Sequence, residues 1–234
     1  MTACTKYCAQ GLIVDQTAAA KRFSEGERFE CPSCGALLPH RFRYSKLIHC
    51  DYCQSLIALG DSTMEKIGEQ ATLAEYPALF ELYQAYRCGK RRLEPIGKLR
   101  YDYGRGFWDE WWCLDQRGGG VWVSVDEGDF AIEQPVAEFA PGPIELPRYT
   151  DLSLGTTLRL LKQDWRVTEL GDARFVGLAG EVPDPMDQRR AFRYAHLERP
   201  GRHLITLEYP LDGDAAEADC FVGTWVDPFE IKPV

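Results

Sequence analysis

Phe107-Trp-Asp-Glu-Trp-Trp-Cys-Leu114, Asp115-Gln-Arg-Gly-Gly-Gly120 and Val121-Trp-Val-Ser-Val125 together decide the fold class. Aromatic and β-branched residues fit a pleated, half-buried surface. Glycines between two such runs make a hairpin loop free to take positive φ. Val121, Val123 and Val125 alternate with Trp122 and Ser124, and Asp126-Glu-Gly-Asp129 then turns the chain into Phe130-Ala-Ile132. Short strands at this spacing mean a small barrel or sandwich. Alternation places Trp108 and Trp112 on one face and Trp111 on the other. Two apolar faces on a thin sheet need cover from a second module, or they leave an aromatic patch for a protein partner built on Trp108, Trp111, Trp112 and Trp122. The same alternation separates Asp109 from Glu110, so these adjacent carboxylates cannot flank one glycosidic bond.

Upstream of this hairpin, Leu79–Tyr86 and Arg92–Tyr101 read as strands. Ala140-Pro-Gly-Pro-Ile-Glu-Leu-Pro147 is a stiff connector and a domain boundary. Beyond it, Leu158–Leu161, Trp165–Val167, Ala173–Val176, Phe192–Leu197 and His203–Tyr209 read as further strands. Leu114-Asp-Gln-Arg-Gly118 parallels Leu197-Glu-Arg-Pro-Gly201, and Leu93-Glu-Pro-Ile-Gly97 parallels Val167-Thr-Glu-Leu-Gly171. The expected architecture is mainly β. A zinc ribbon at 26–60 is followed by two related small antiparallel β-barrel or sandwich-like repeats at 78–139 and 148–234.

The ribbon rests on Cys31-Pro-Ser-Cys34-Gly and Cys50-Asp-Tyr-Cys53. Two C-x2-C knuckles at this spacing supply four thiolates for one structural Zn2+, with Cys31, Cys34, Cys50 and Cys53 as ligands. Rubredoxin-type iron is the alternative metal; it usually has glycine after each pair, and here Gln54 follows the second. A segment of this size cannot bury enough surface to fold alone. Structural zinc contributes roughly 10–16 kcal/mol of apparent folding free energy in small peptides. Arg41–Ile48 alternates as a strand, Leu56–Leu59 closes the ribbon, and His40 and His49 stand beside the knuckles without being ligands. Residues 61–76 read as a polar linker. Residues 1–25, with Cys4 and Cys8, read as a flexible leader whose apolar face is too weak for a membrane anchor. Cys88, Cys113 and Cys220 read as small buried apolar side chains.

The 234 residues carry a net charge of −9. Residues 61–147 hold −7 of it (nine basic, sixteen acidic), and a zinc-loaded ribbon adds about −1. Nucleic-acid binding by the ribbon is therefore disfavoured, because phosphate backbones need clustered Lys and Arg. No apolar run is long enough for a membrane-spanning helix, and no signal peptide is evident. With an odd cysteine remainder, this points to the reducing cytoplasm. Asp126, Glu127 and Asp129 read as a solvated acidic turn, with weak calcium binding as the alternative. Nucleotide loops, nucleophile elbows and HExxH are absent.

Trp108-Asp-Glu-Trp111, Trp122-Val-Ser-Val125 and Asp126-Glu-Gly-Asp-Phe130 resemble the core of the bacterial domain of unknown function 4178. Phe192-Arg-Tyr-Ala-His-Leu197 and Ile205-Thr-Leu-Glu-Tyr209 resemble its second half, so the resemblance spans roughly residues 28–232. The family has no established reaction. Its members stand beside phage-shock-protein-A-like, small membrane and spermidine-synthase-like proteins, which implies a membrane-associated or stress-response assembly. The expected role is a non-enzymatic zinc-binding interaction or adaptor protein. The alternatives are an enzyme with its site between the two β domains and a nucleic-acid-binding ribbon.

Overall fold

The computed structural model describes residues 29–60, 63–70, 73–74, 76–136, 144–183, 191–212 and 218–234. The leader with Cys4 and Cys8 lies outside them, as does much of the 140–147 connector. The chain is mainly β. Its strands are β1 (Leu47–His49), β2 (Ser55–Leu59), β3 (Met64–Glu69), β4 (Tyr86–Cys88), β5 (Arg91–Asp102), β6 (Phe107–Asp115) and β7 (Gly120–Asp126). They continue as β8 (Asp129–Pro135), β9 (Thr157–Leu160), β10 (Gln163–Val182), β11 (Ala191–Arg199), β12 (His203–Tyr209), β13 (Asp219–Val226) and β14 (Ile231–Pro233).

Two antiparallel meanders, β5–β8 and β10–β13, occupy the two expected repeats. The matched turns at 114–118 and 197–201 fall at the same place in each, between the second and third strands. Hydrogen bonding goes further than two separate repeats. β8 pairs with β13, and β5 pairs with β10, so the path β5-β6-β7-β8-β13-β12-β11-β10 returns on itself as one eight-stranded ring. At the β5–β10 seam Gly97 stands opposite Gly180. A Cβ on Gly97 would lie 2.0 Å from the Glu181 carbonyl oxygen, and one on Gly180 2.2 Å from that of Ile96, so only glycine admits this approach.

β10 runs for 20 residues. The sequence suggests two short strands there, Trp165–Val167 and Ala173–Val176; the structure joins them because β10 has different partners along its length. It pairs with β9 at its start, β11 through 166–174, β5 through 174–180, and β1 at its end. Through β1 the ribbon continues the sheet as β1-β2-β3. β3 corrects the linker reading of 61–76: Met64–Glu69 is a polar, solvent-facing edge strand. Of Arg41–Ile48 only the end is strand. Leu79–Ala85 is irregular chain that lays Phe80 and Leu82 on the ring's outer wall.

The packing is inverted relative to a simple filled barrel. One apolar core lies outside β6–β8, where Trp111, Cys113, Val121 and Val123 meet Phe80, Tyr86 and Ile231. A second lies outside β11–β13, where Leu197, Ile205, Leu207 and Cys220 meet Leu152 and Trp165, with Ile144 and Leu146 against them. A third plugs the ribbon end of the ring: Phe42 packs on Trp112 (5.5 Å between ring centroids), with Leu47, Leu99, Tyr101 and Leu178 around them. Cys88, Cys113 and Cys220 are all buried in these layers.

Candidate metal cluster and barrel cavity

The two knuckles bring the Sγ atoms of Cys31, Cys34, Cys50 and Cys53 within 4.8 Å of one another, with Cys31–Cys53 at 3.6 Å and Cys34–Cys50 at 3.8 Å. Backbone turns hold them: Gly35 donates to the Cys31 carbonyl at φ +75°, and Gln54 to that of Cys50 at φ +60°. Four soft donors at this separation can hold one metal ion. The Ser55 hydroxyl, 3.2 Å from the Cys53 sulfur, brings that thiol down to about 6. His49 is buried between Asp51 and the Gln70 carbonyl, and His40 stacks on Phe29 at 4.1 Å; neither joins the cluster.

Glu181 fixes the ribbon to the ring. It is fully buried on β10, and its carboxylate accepts from Arg41 N (2.5 Å), Ser45 Oγ (2.6 Å) and Phe42 N (3.4 Å). Those backbone N–H groups have no strand partner, and Glu181 satisfies them. Burial raises its carboxyl to about 7, against the opposing pull of these hydrogen bonds.

The four tryptophans do not form one exposed patch. Trp111 (3% exposed) is in the outer core, beneath the Lys98 ammonium at 5.0 Å. Trp112 is fully buried, and Trp122 packs on it at 4.9 Å. Trp108 and Trp122 are half-buried and face the ring's interior. Alternation thus sorted the faces, and the inner one looks into a cavity. Asp109 points outward to a bidentate pair with Arg100 (2.6 and 2.7 Å), while Glu110 points inward and accepts from Trp108 Nε1 at 3.1 Å.

The cavity measures about 360 Å3 and is walled by all the ring strands except β5. Its walls carry Glu110, Asp126, Glu133, Glu169, Glu198 and Glu208, with Glu127 and Asp129 from the β7–β8 turn. Glu133, only 5% exposed, is held by two neutral hydroxyls, Thr206 Oγ1 and Ser124 Oγ, each donating at 2.6 Å. Glu169 accepts from Tyr194 at 2.8 Å and lies 3.1 Å from His196 Nδ1. That histidine contact holds Glu169 below the usual carboxylate range. Burial pulls His196 down, but Glu169, Glu133 and Asp126 outweigh it and leave the ring more basic than usual. Burial and then the neighbouring carboxylates push Asp126 up. Sequence reasoning missed this site because alternating polar residues on a strand read as a solvent face.

Among the described residues no helix is long and apolar enough to cross a membrane. No curated protein and no solved structure matches the chain. A family model described as a domain of unknown function (DUF4178) matches residues 86–228, from β4 through the whole ring to the turn before β14. Its span takes in both meanders, the seam and the cavity, and leaves out the cysteine cluster, so the chain belongs to the DUF4178 family by virtue of its ring.

Proposed function

We propose that this chain is a non-enzymatic, cytoplasmic small-molecule-binding protein, in which the ring holds the ligand and a zinc ribbon braces one end of it. The observation that carries the reading is the cavity. Its volume falls in the range of small-molecule sites, about 300–1,000 Å3, and its inner strand faces converge on it with polar groups. A zinc tetrahedron with Zn–S near 2.3 Å has S···S edges of about 3.8 Å, which is the spacing of the cysteine pairs. Zinc would draw all four thiols into thiolates and fix β1 and β2, which in turn seat Phe42 against Trp112.

Nucleophilic chemistry finds little support in the cavity wall. The Ser124 and Thr206 hydroxyls give their protons to Glu133 rather than to His196. A second reading concerns protein partners. It rests on the ribbon tip, where Leu37 (63%) and Tyr52 (82%) stand exposed beside the knuckles. Small molecules released on denaturing the protein purified from its host, identified by mass spectrometry, test the first reading. It predicts a compound enriched over an Ala131→Trp variant, whose added indole blocks the cavity. A stoichiometric protein partner lost on Tyr52→Ser, with no released compound, would put the second reading in its place.

A further inference from the structure

We propose that the ring's ligand is a small organic cation, an ammonium compound; this rests on the binding reading above and specifies it. Eight carboxylate side chains line the cavity, and among its described lining residues there is no lysine or arginine, only His196. An anion entering there would meet eight carboxylates against one histidine that already contacts Glu169. Glu133 sharpens the point. It is nine-tenths buried, and both its oxygens rest on neutral hydroxyls; the wall's one basic side chain, His196, is in contact with Glu169 instead, so no cation touches Glu133. A buried carboxylate in that position is stabilised by a cation arriving from outside.

The cavity also selects the kind of cation. Trp108, Trp122, Phe192, Tyr194, Phe221 and Trp225 line the same space. Aromatic faces attract ammonium groups through their quadrupoles and give a hydrated metal ion much less. Among the described residues, the cysteines are the only group of three or more ligating side chains whose donor atoms converge on one point. The cavity carboxylates are instead distributed around the wall. A point ion needs several oxygens at once within coordination distance. A ligand of several heavy atoms meets scattered carboxylates and aromatic faces together. The volume, about 360 Å3, admits such a ligand.

The test uses three probes of one shape: choline, its uncharged tert-butyl isostere dimethylbutanol, and the anionic dimethylbutanoate. A linear butane diamine, with butanediol as its uncharged control, and calcium complete the set. Binding to the full, zinc-loaded chain is followed by calorimetry and by the emission of Trp108, Trp122 and Trp225. The expected result is saturable binding of choline or the diamine at least tenfold tighter than of its uncharged control, with dimethylbutanoate not bound. Glu133→Gln should weaken the cation tenfold or more and leave the neutral isostere unchanged. Glu110→Gln, at a half-buried position, provides the same comparison if the first variant folds poorly. Preference for the neutral or anionic isostere would overturn the cationic assignment while leaving a binding barrel. Saturation by calcium alone would overturn the organic class. No binding of any probe up to millimolar concentrations would overturn this inference and count against the binding reading itself.

Discussion

Replacing Glu181 with glutamine should change how stability depends on pH, and the buried geometry sets the size of the change. The native carboxyl titrates at about 7 against an ordinary 4.5, so the folded chain holds this proton at higher pH than the unfolded chain. Between those two values the native state binds more protons, and stability falls as pH rises. The contribution is fully present below about 4.5 and lost as pH passes through about 7. The separation is two and a half pH units, and at roughly 1.4 kcal/mol per unit the full swing is about 3 kcal/mol. Most of it, about 2–3 kcal/mol, falls between roughly pH 5 and pH 8. Glutamine cannot titrate, and its one carbonyl still accepts from Arg41 N. Urea unfolding of both proteins with zinc bound, followed by tryptophan emission, measures the difference. Other titrating groups, the cysteine cluster included, are common to both proteins and cancel. The stability of wild type minus variant should fall by about 2–3 kcal/mol from the lower to the higher pH. A gap constant to within about 0.5 kcal/mol would show that burial does not govern this carboxyl.

Three further outcomes follow from named contacts. Chelating the metal, or Cys50→Ser, should expose the amides of β1–β3 to hydrogen exchange while β6–β8 stay protected, because the ribbon's own apolar core is small. Gly120→Ala would set a Cβ 1.8 Å from the Trp112 ring, and thermal unfolding should show a loss of about 1–3 kcal/mol. Arg100→Ala strips Asp109 of its bidentate partner in a buried site and should cost about 3–5 kcal/mol by denaturant titration. Arg100→Lys should recover only part, since lysine lacks the planar fork.

Period-two alternation separated Trp111 from Trp108 and Trp112 and Asp109 from Glu110 correctly, because strand geometry fixes side. It could not say which side is inside. Glu133, Thr206 and Glu208 alternate with apolar residues as a solvated face would, and yet they look into the ring. The ring itself was hidden because its seam joins β5 to β10 across a long sequence separation, through Gly97 and Gly180, which carry no side-chain signal. The internal match between 114–118 and 197–201 did expose the two meanders. The cysteine spacing was legible because each C-x2-C knuckle is a short-range turn, and two such turns bring four sulfurs together. Glu181 was not, since its partners Arg41, Phe42 and Ser45 lie far away in the chain.

The ring encloses an open, acidic cavity, while the apolar cores lie outside it or plug one end. Collisional quenching tests this directly. Trp108, Trp122 and Trp225 line the cavity, whereas Trp111, Trp112 and Trp165 are buried in apolar layers. Caesium should quench the cavity tryptophans well beyond iodide at equal ionic strength, and Trp108→Phe with Trp122→Phe should remove most of that difference. Iodide quenching as efficient as caesium, or no quenching by either ion or by neutral acrylamide, would contradict it.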